Sequence, residues 1–209
     1  MFTGIIESTV KITRFIKSGS ECSLTVENCF GSSISAGDSI SVDGVCLTVE
    51  KFSPKEMMFF VSAATVKKTI VSSYSPGNVV NLERAMPANG RFDGHIVQGH
   101  IDTSGVVAGV KRVEKGIEIK FSFDKKYSPL VVERGSIAVN GISLTCSETG
   151  DDFFKVSCIP ETLRRTSFFI PPSIGRKVNL EFDIIGKYVS KVLEKGKKDG
   201  DISSLLEKM

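Results

Sequence analysis

Hydroxyl and thiol side chains recur at matching places in this chain. The stretch Val42-Asp43-Gly44-Val45-Cys46-Leu47-Thr48 is nearly repeated as Val139-Asn140-Gly141-Ile142-Ser143-Leu144-Thr145, with a serine where the first copy has a cysteine. Such groups give and accept hydrogen bonds and can meet a ligand or a partner. The two histidines, His95 and His100, fall together in Gly94-His95-Ile96-Val97-Gln98-Gly99-His100. Five residues apart on a strand they are expected on opposite faces, which argues against a shared metal. No Cys/His cluster with zinc spacing accompanies them, so metal catalysis is not expected. Gly-x-Gly-x-x-Gly and Gly-Lys-Ser/Thr loops are missing too, so nothing offers a phosphate cradle and the expected substrate is an uncharged polar molecule.

The elements that must position these groups are hairpins. Asp-Gly and Asn-Gly between alternating apolar residues are turn signals. A two-residue turn at Asp43-Gly44 sets Val42 opposite Val45, Ser41 opposite Cys46, Ile40 opposite Leu47 and Ser39 opposite Thr48. One face is then apolar and the other carries Ser, Cys and Thr. The second copy puts Ile137, Val139, Ile142 and Leu144 on one face and Ser136, Ala138, Ser143 and Thr145 on the other. The apolar faces are expected to form core, and the small polar faces to point outward, where a ligand can reach them. Farther on, Pro160-Glu161-Thr162-Leu163-Arg164-Arg165-Thr166 reads as one or two helical turns. Their free N–H groups could hold the oxygens of a polar heterocycle, or the stretch is simply a capped connector.

The two phrases stand 97 residues apart, as do Thr65-Val66-Lys67-Lys68-Thr69 and Thr162-Leu163-Arg164-Arg165-Thr166. Val80-Asn81-Leu82-Glu83 returns letter for letter 98 residues later as Val178-Asn179-Leu180-Glu181, and Gly4-Ile5-Ile6-Glu7 is echoed by Gly99-His100-Ile101-Asp102. Four matches in one order make a tandem duplication. Each unit consists mostly of short alternating strands broken by turn residues, as in a sandwich or a barrel, and is expected to close into a small Greek-key barrel. Beyond the repeats, Tyr188, Val189, Val192 and Leu193 form one helical stripe. Ile202, Leu205, Leu206 and Met209 form another, with Asp201 as N-cap. This tail could lie on its own barrel and is expected instead to meet the tails of other subunits.

The 209 residues suit one large or two modest domains, and 41% hydrophobic with 24% charged residues is a globular balance. A net charge of +3 argues against nucleic acid or an anionic membrane surface as partner. Met1 to Glu7 has no basic leader, and no apolar run is long enough to span a bilayer, so a cytoplasmic protein is expected. The five cysteines (Cys22, Cys29, Cys46, Cys146 and Cys158) include no C-x-x-C pair and are expected as reduced thiols.

Four motifs together, "MFTGIIE", "GHIVQGHID", "NGISLT" and "PETLRRT", resemble the riboflavin synthase alpha-chain family, and the likeness runs through both repeats into the tail. The resemblance implies an all-β fold of two tandem six-stranded Greek-key barrels plus a C-terminal α-helix. It divides the chain into an N-terminal lumazine-binding barrel (1–96), a C-terminal one (97–187) and a helical tail (188–209) that assembles a homotrimer. It implies dismutation of two 6,7-dimethyl-8-ribityllumazine molecules into riboflavin and 5-amino-6-(D-ribitylamino)uracil, without metal or cofactor. Two substrates then meet between the N-barrel of one subunit and the C-barrel of a neighbour.

Residue by residue, the implied ligand contacts begin with Gly4, Ile5 and Ile6, and continue with Cys46, Leu47 and Thr48. The strand end Phe60, Val61, Ser62, Ala63, Ala64 and Thr65 completes the first half. In the second half they are Gly99, His100 and Ile101, then Arg134, then Ser143, Leu144 and Thr145, and finally Ile159, Pro160, Glu161, Thr162, Leu163 and Arg164. Ser143, Thr145, Cys46, His100 and Asp183 are the implied catalytic residues, with Phe2 packing at the site. A hydroxyl or water held by Ser143 would add to one lumazine while His100 handles a proton, and Glu161 would suit ribityl hydroxyls. A non-catalytic lumazine-binding antenna protein is the alternative. Two departures from the family pattern stand out: Ala64 where the second half has Glu161, and Asp93 where the family has glycine before "GHIVQGH".

Overall fold

The computed structural model describes residues 1–169 and 172–198. Alternating apolar residues close twelve strands into two antiparallel barrels. The first consists of β1 (Ser8–Ser18), β2 (Glu21–Glu27), β3 (Ser39–Val42), β4 (Val45–Phe52), β5 (Glu56–Val61) and β6 (Val79–Arg84), ringed as β1-β2-β5-β4-β3-β6. The second consists of β7 (Thr103–Val113), β8 (Gly116–Ser122), β9 (Ser136–Val139), β10 (Ile142–Thr149), β11 (Phe153–Cys158) and β12 (Lys177–Phe182). Its ring, β7-β8-β11-β10-β9-β12, repeats the first six strands on. Pairing β2 with β5 and β8 with β11 makes each barrel a Greek key, and closure leaves no edge strand free.

Each barrel has its own core. Leu24, Ile40, Met57, Phe59 and Leu82 fill the first, and Ile119, Phe121, Phe154, Phe168 and Phe182 fill the second. Phe121 stacks on Phe154 with ring centroids 5.2 Å apart. The alternation that the hairpins required is seen in β4, where Val45, Leu47 and Val49 are buried and Thr48 and Glu50 are exposed. Three cysteines (Cys22, Cys146 and Cys158) are buried, and all five are free thiols. Burial alone lifts Cys146 to about 11 and Cys158 to about 12, so both stay protonated and unreactive at neutral pH.

Two six-residue helices follow β5 and β11. Helix α1 (Ala63–Lys68) is capped by Ser62, whose Oγ accepts the Thr65 N–H at 3.3 Å. Helix α2 (Pro160–Arg165) has no side-chain cap; Pro160 opens it, and Glu161 pairs with both Arg164 and Arg165. The tail helix α3 (Ile184–Lys198) begins four residues before Tyr188. Its stripe is bare: Tyr188 is 69% and Val192 63% exposed. The second expected stripe, from Asp201 to Met209, lies outside the described residues. Among these, no helix is long and apolar enough to cross a membrane.

Candidate functional site

The two hairpin turns take the left-handed geometry that Asp-Gly and Asn-Gly tolerate, with φ of 45° and 82° at Asp43 and Gly44, and 46° and 76° at Asn140 and Gly141. Register follows: Ser41 faces Cys46, and Ala138 faces Ser143. The polar faces do point out of their barrels, but not into open solvent. Ser41 and Ala138 are each 1% exposed, Cys46 and Ser143 are half-buried, and only Thr48 and Thr145 are exposed. What covers them is the chain leading into each barrel.

These lead-in segments are crossed. The Gly4 carbonyl, just before the first barrel, accepts the Ser143 N–H of the second barrel at 2.8 Å. The Gly99 carbonyl, just before the second barrel, accepts the Cys46 N–H of the first at 2.9 Å. Between them Phe2 and Val97 form an antiparallel bridge, and Phe2, fully buried, packs with Val97, Ala138 and Cys46. Gly4 and Gly99 have positive φ, and a Cβ there would stand 2.6 Å from the Ser143 Cβ and 2.5 Å from the Cys46 Cβ. The approach of each lead-in to its hairpin therefore depends on glycine.

Two buried glutamates hold the lead-ins in place. Glu83 accepts the Thr3 N–H at 2.6 Å, the Thr3 hydroxyl at 2.7 Å and the Gly4 N–H at 3.0 Å. Glu181 accepts the Gln98, Gly99 and His100 N–H groups at 2.7, 2.9 and 3.1 Å. Burial raises both carboxyls, and these N–H donors pull them back down. Neither glutamate was picked out from residue type. Their signal is the letter-for-letter return of Val-Asn-Leu-Glu, which keeps the same asparagine and acid near the end of both strands.

The asparagines of the same phrase tie the barrels together. Asn81 Nδ2 donates to the Asn140 carbonyl and Asn179 Nδ2 to the Asp43 carbonyl, each at 2.9 Å. Here the copies diverge. Asp43 accepts the Asn81 N–H at 2.8 Å and the Tyr74 hydroxyl at 2.9 Å. Asn140 accepts the Asn179 N–H at 2.7 Å, but its Nδ2 has no partner.

His95 and His100 do not lie on a strand, so the expected opposition of faces does not apply. Both occupy the irregular lead-in to β7, where Gly94 and Gly99 shape the backbone. The His95 Nδ1 sits 2.7 Å from the Ser143 Oγ. His100, expected to handle a proton, is held by its backbone on Glu181 and is exposed. Burial lowers the His95 imidazole from its ordinary value, and the Asp183 charge pulls it partly back. A neutral imidazole with its proton on Nε2 accepts the Ser143 O–H and can take that proton. Asp183 caps α3, with its Oδ1 accepting the Ile185 N–H at 2.9 Å. The chain therefore brings the Ser143 hydroxyl onto the His95 imidazole, where the Asp183 charge is also felt.

The remaining expected contacts divide by burial. Leu47, Val61 and Leu144 point into the cores, leaving only their backbones for a ligand, and Ile6 and Ile101 are buried as well. Ile5, Phe60 and Ile159 are exposed apolar side chains. Ala63 and Thr65 are half-buried at the start of α1, and Ala64 is exposed. In α2, Pro160 and Arg164 are exposed, Thr162 and Leu163 half-buried, and Glu161 is taken up by its two arginines rather than free for a ligand. Arg134 is exposed with φ of 64°, its N–H on the Cys146 carbonyl at 2.8 Å. A cleft of ≈ 510 Å³ opens beside Thr3, Ile5 and Glu83, and Asp93 lines it together with Arg91, 3.6 Å away. Among the described residues, no group of three or more His, Cys, Asp or Glu could hold a metal ion.

Comparison with known proteins agrees with the duplicated architecture. The family described as "Lumazine binding domain" matches twice, over residues 3–85 and 98–183. The chain is 41% identical over 206 residues to a riboflavin synthase of Actinobacillus pleuropneumoniae, covering 98% of this chain and 95% of that one. It is 39% identical over 200 residues to the riboflavin synthase of Bacillus subtilis, covering 95% and 93%. Among solved structures it is similar to LumP complexed with riboflavin, with a TM-score of 0.79 and 24% identity over 87% of this chain and 99% of the other. LumP complexed with 6,7-dimethyl-8-(1'-D-ribityl) lumazine matches with the same TM-score at 21% identity, covering 87% and 98%. At these identities the LumP likeness speaks to the fold.

Proposed function

This chain belongs to the lumazine-binding domain family, and from that premise we propose its chemistry: it is a riboflavin synthase. Two 6,7-dimethyl-8-ribityllumazine molecules react, and a four-carbon unit passes from one to the other. The products, riboflavin and 5-amino-6-(D-ribitylamino)uracil, together contain the atoms of the two substrates, so any water that adds is returned.

The observation that carries the catalytic assignment is the Ser143–His95 hydrogen bond of 2.7 Å. We assign Ser143, or a water it holds, as the group that adds to one lumazine, and His95 as its base. Asp183 steadies the imidazolium that forms. General acid–base help of this kind contributes about 10²–10⁴-fold. Cys46 lies at the matching place in the first barrel without a hydrogen bond to an imidazole, which supports a division of labour between unlike halves. Holding the two rings in attack geometry contributes a further ~7–11 kcal/mol. Thr48 and Thr145, with the backbone of Gly4 to Ile6 and Gly99 to Ile101, suit the polar edges of the two ligands. His100 and Arg134, both exposed, are left to meet the ligand or a neighbouring subunit.

The working form is a cytoplasmic homotrimer with domains at 1–96, 97–187 and 188–209. The bare apolar stripe of α3 supports assembly, since such a face is stabilised by burial against other copies. Each site then joins the first barrel of one subunit to the second barrel of the next. Mixing two inactive variants, Cys46→Arg and Ser143→Ala, tests this. Mixed trimers contain interfaces with both halves intact, so activity should return to roughly a quarter of the parent's for a random mixture. No recovery after verified subunit exchange refutes a site shared between subunits. A monomeric chain that binds lumazine without turnover would instead favour the antenna reading.

A further inference from the structure

The end of β12 and the first turn of α3 hold more of the site than the catalytic aspartate. Glu181 fixes the three amides of the His100 segment, and the Asp183 charge acts on the His95 imidazole. Two residues beyond His100, Asp102 completes the set. Its Oδ2 accepts the Phe182 N–H at 2.9 Å and lies 2.6 Å from the Lys187 Nζ of α3, both side chains being 22% exposed. The Asp102 carbonyl also accepts the Tyr127 hydroxyl at 3.3 Å.

The first repeat uses the same acid position differently. Glu7 stands where Asp102 does and accepts the Arg84 N–H at 2.7 Å, as Asp102 accepts that of Phe182. Its cation is the side chain of that same Arg84, 2.6 Å away, at the end of the barrel's own strand. In the second repeat Phe182 occupies that position, and the cation comes instead from the tail helix. One barrel closes on itself, while the other is closed by α3.

We propose that Lys187 is a positioning residue, and that the Asp102–Lys187 ion pair couples the seating of helix α3 to the placement of the His100 segment and of Asp183. This rests on the catalytic reading above. A half-buried pair with an added backbone donor holds its geometry better than an exposed one. The Lys187 charge also reaches Glu181, where it opposes the upward push of burial and of the Asp102 charge. Whatever covers the apolar stripe of α3 thereby bears on the two segments that carry His95, His100 and Asp183.

The chain has two histidines, so its imidazole C–H spectrum reports on these segments alone. Full-length Lys187→Met and Asp102→Asn, which break the pair from either side, should both displace the His95 and His100 resonances. With 6,7-dimethyl-8-ribityllumazine, kcat should fall about 10–100-fold while KM changes less than about threefold. Lys187→Arg should restore both the spectrum and kcat. Imidazole signals at the parent's positions in both variants would overturn the proposal, as would a loss that Lys187→Arg does not repair. Should the parent itself turn over no lumazine, the catalytic reading fails while the imidazole spectra still decide the coupling.

Discussion

Asp43→Asn converts the turn residue of the first hairpin into its counterpart in the second, Asn140, and should make the protein more stable at neutral pH. Asp43 is 1% exposed. Burial pushes its carboxyl from 3.8 to about 6, against the Asn81 N–H, the Tyr74 hydroxyl and the Arg176 charge, which lower it. A folded-state value above the unfolded one means that the folded chain binds the extra proton. Stability is therefore lost as pH rises from about 4 to about 6, and stays level above that window. Two units at 1.36 kcal/mol each amount to about 3 kcal/mol. Asparagine resembles the protonated acid: Oδ1 still accepts the Asn81 N–H, and Nδ2 can donate to the Tyr74 oxygen. Thermal unfolding from pH 4 to pH 8 should place variant and parent close together at the acid end. At pH 7.5 the variant should lead by up to roughly 6–12 °C. Equal midpoints at pH 7.5, or a variant less stable there, would refute the claim that a charge is buried at this turn.

Other substitutions probe the crossed lead-ins. Gly99→Ala forces a Cβ to within 2.5 Å of the Cys46 Cβ at a φ of +81°. It should reduce turnover at least about 100-fold, and near-parent activity would mean that the lead-in is not part of the site. Glu181→Gln puts an NH₂ against amides that now point at a carboxylate. In urea titrations it should lower stability by about 2–4 kcal/mol, with Glu83→Gln giving a similar loss; a change under about 0.5 kcal/mol in either would remove the clamps from the account.

Pairing within each hairpin was legible in the sequence because Asp-Gly and Asn-Gly dictate a two-residue turn and strand side chains alternate with a period of two. The duplication was legible from matched spacings, and with it the two six-stranded barrels that the family likeness implied. The crossing of the lead-ins was not. Its cause lies in carbonyl–amide bonds from Gly4 and Gly99 to the opposite hairpins, and backbone partners over such separations leave no pattern of residue types. For the same reason spacing alone puts His95 on a strand and gives it no role. A glycine-shaped segment obeys no period, so facing could not be read from spacing. Glu161 looked free for a ligand because the sequence shows an acid before two arginines but not whether they close on it.

The riboflavin synthase activity is tested most directly by incubating the purified protein, without added metal or cofactor, with 6,7-dimethyl-8-ribityllumazine, following both the lumazine and riboflavin by their absorbance. The prediction is two lumazines consumed for each riboflavin formed, with one equivalent of 5-amino-6-(D-ribitylamino)uracil. Tight lumazine binding with no riboflavin at any enzyme concentration would contradict it and leave a binding protein built on the same duplicated barrels.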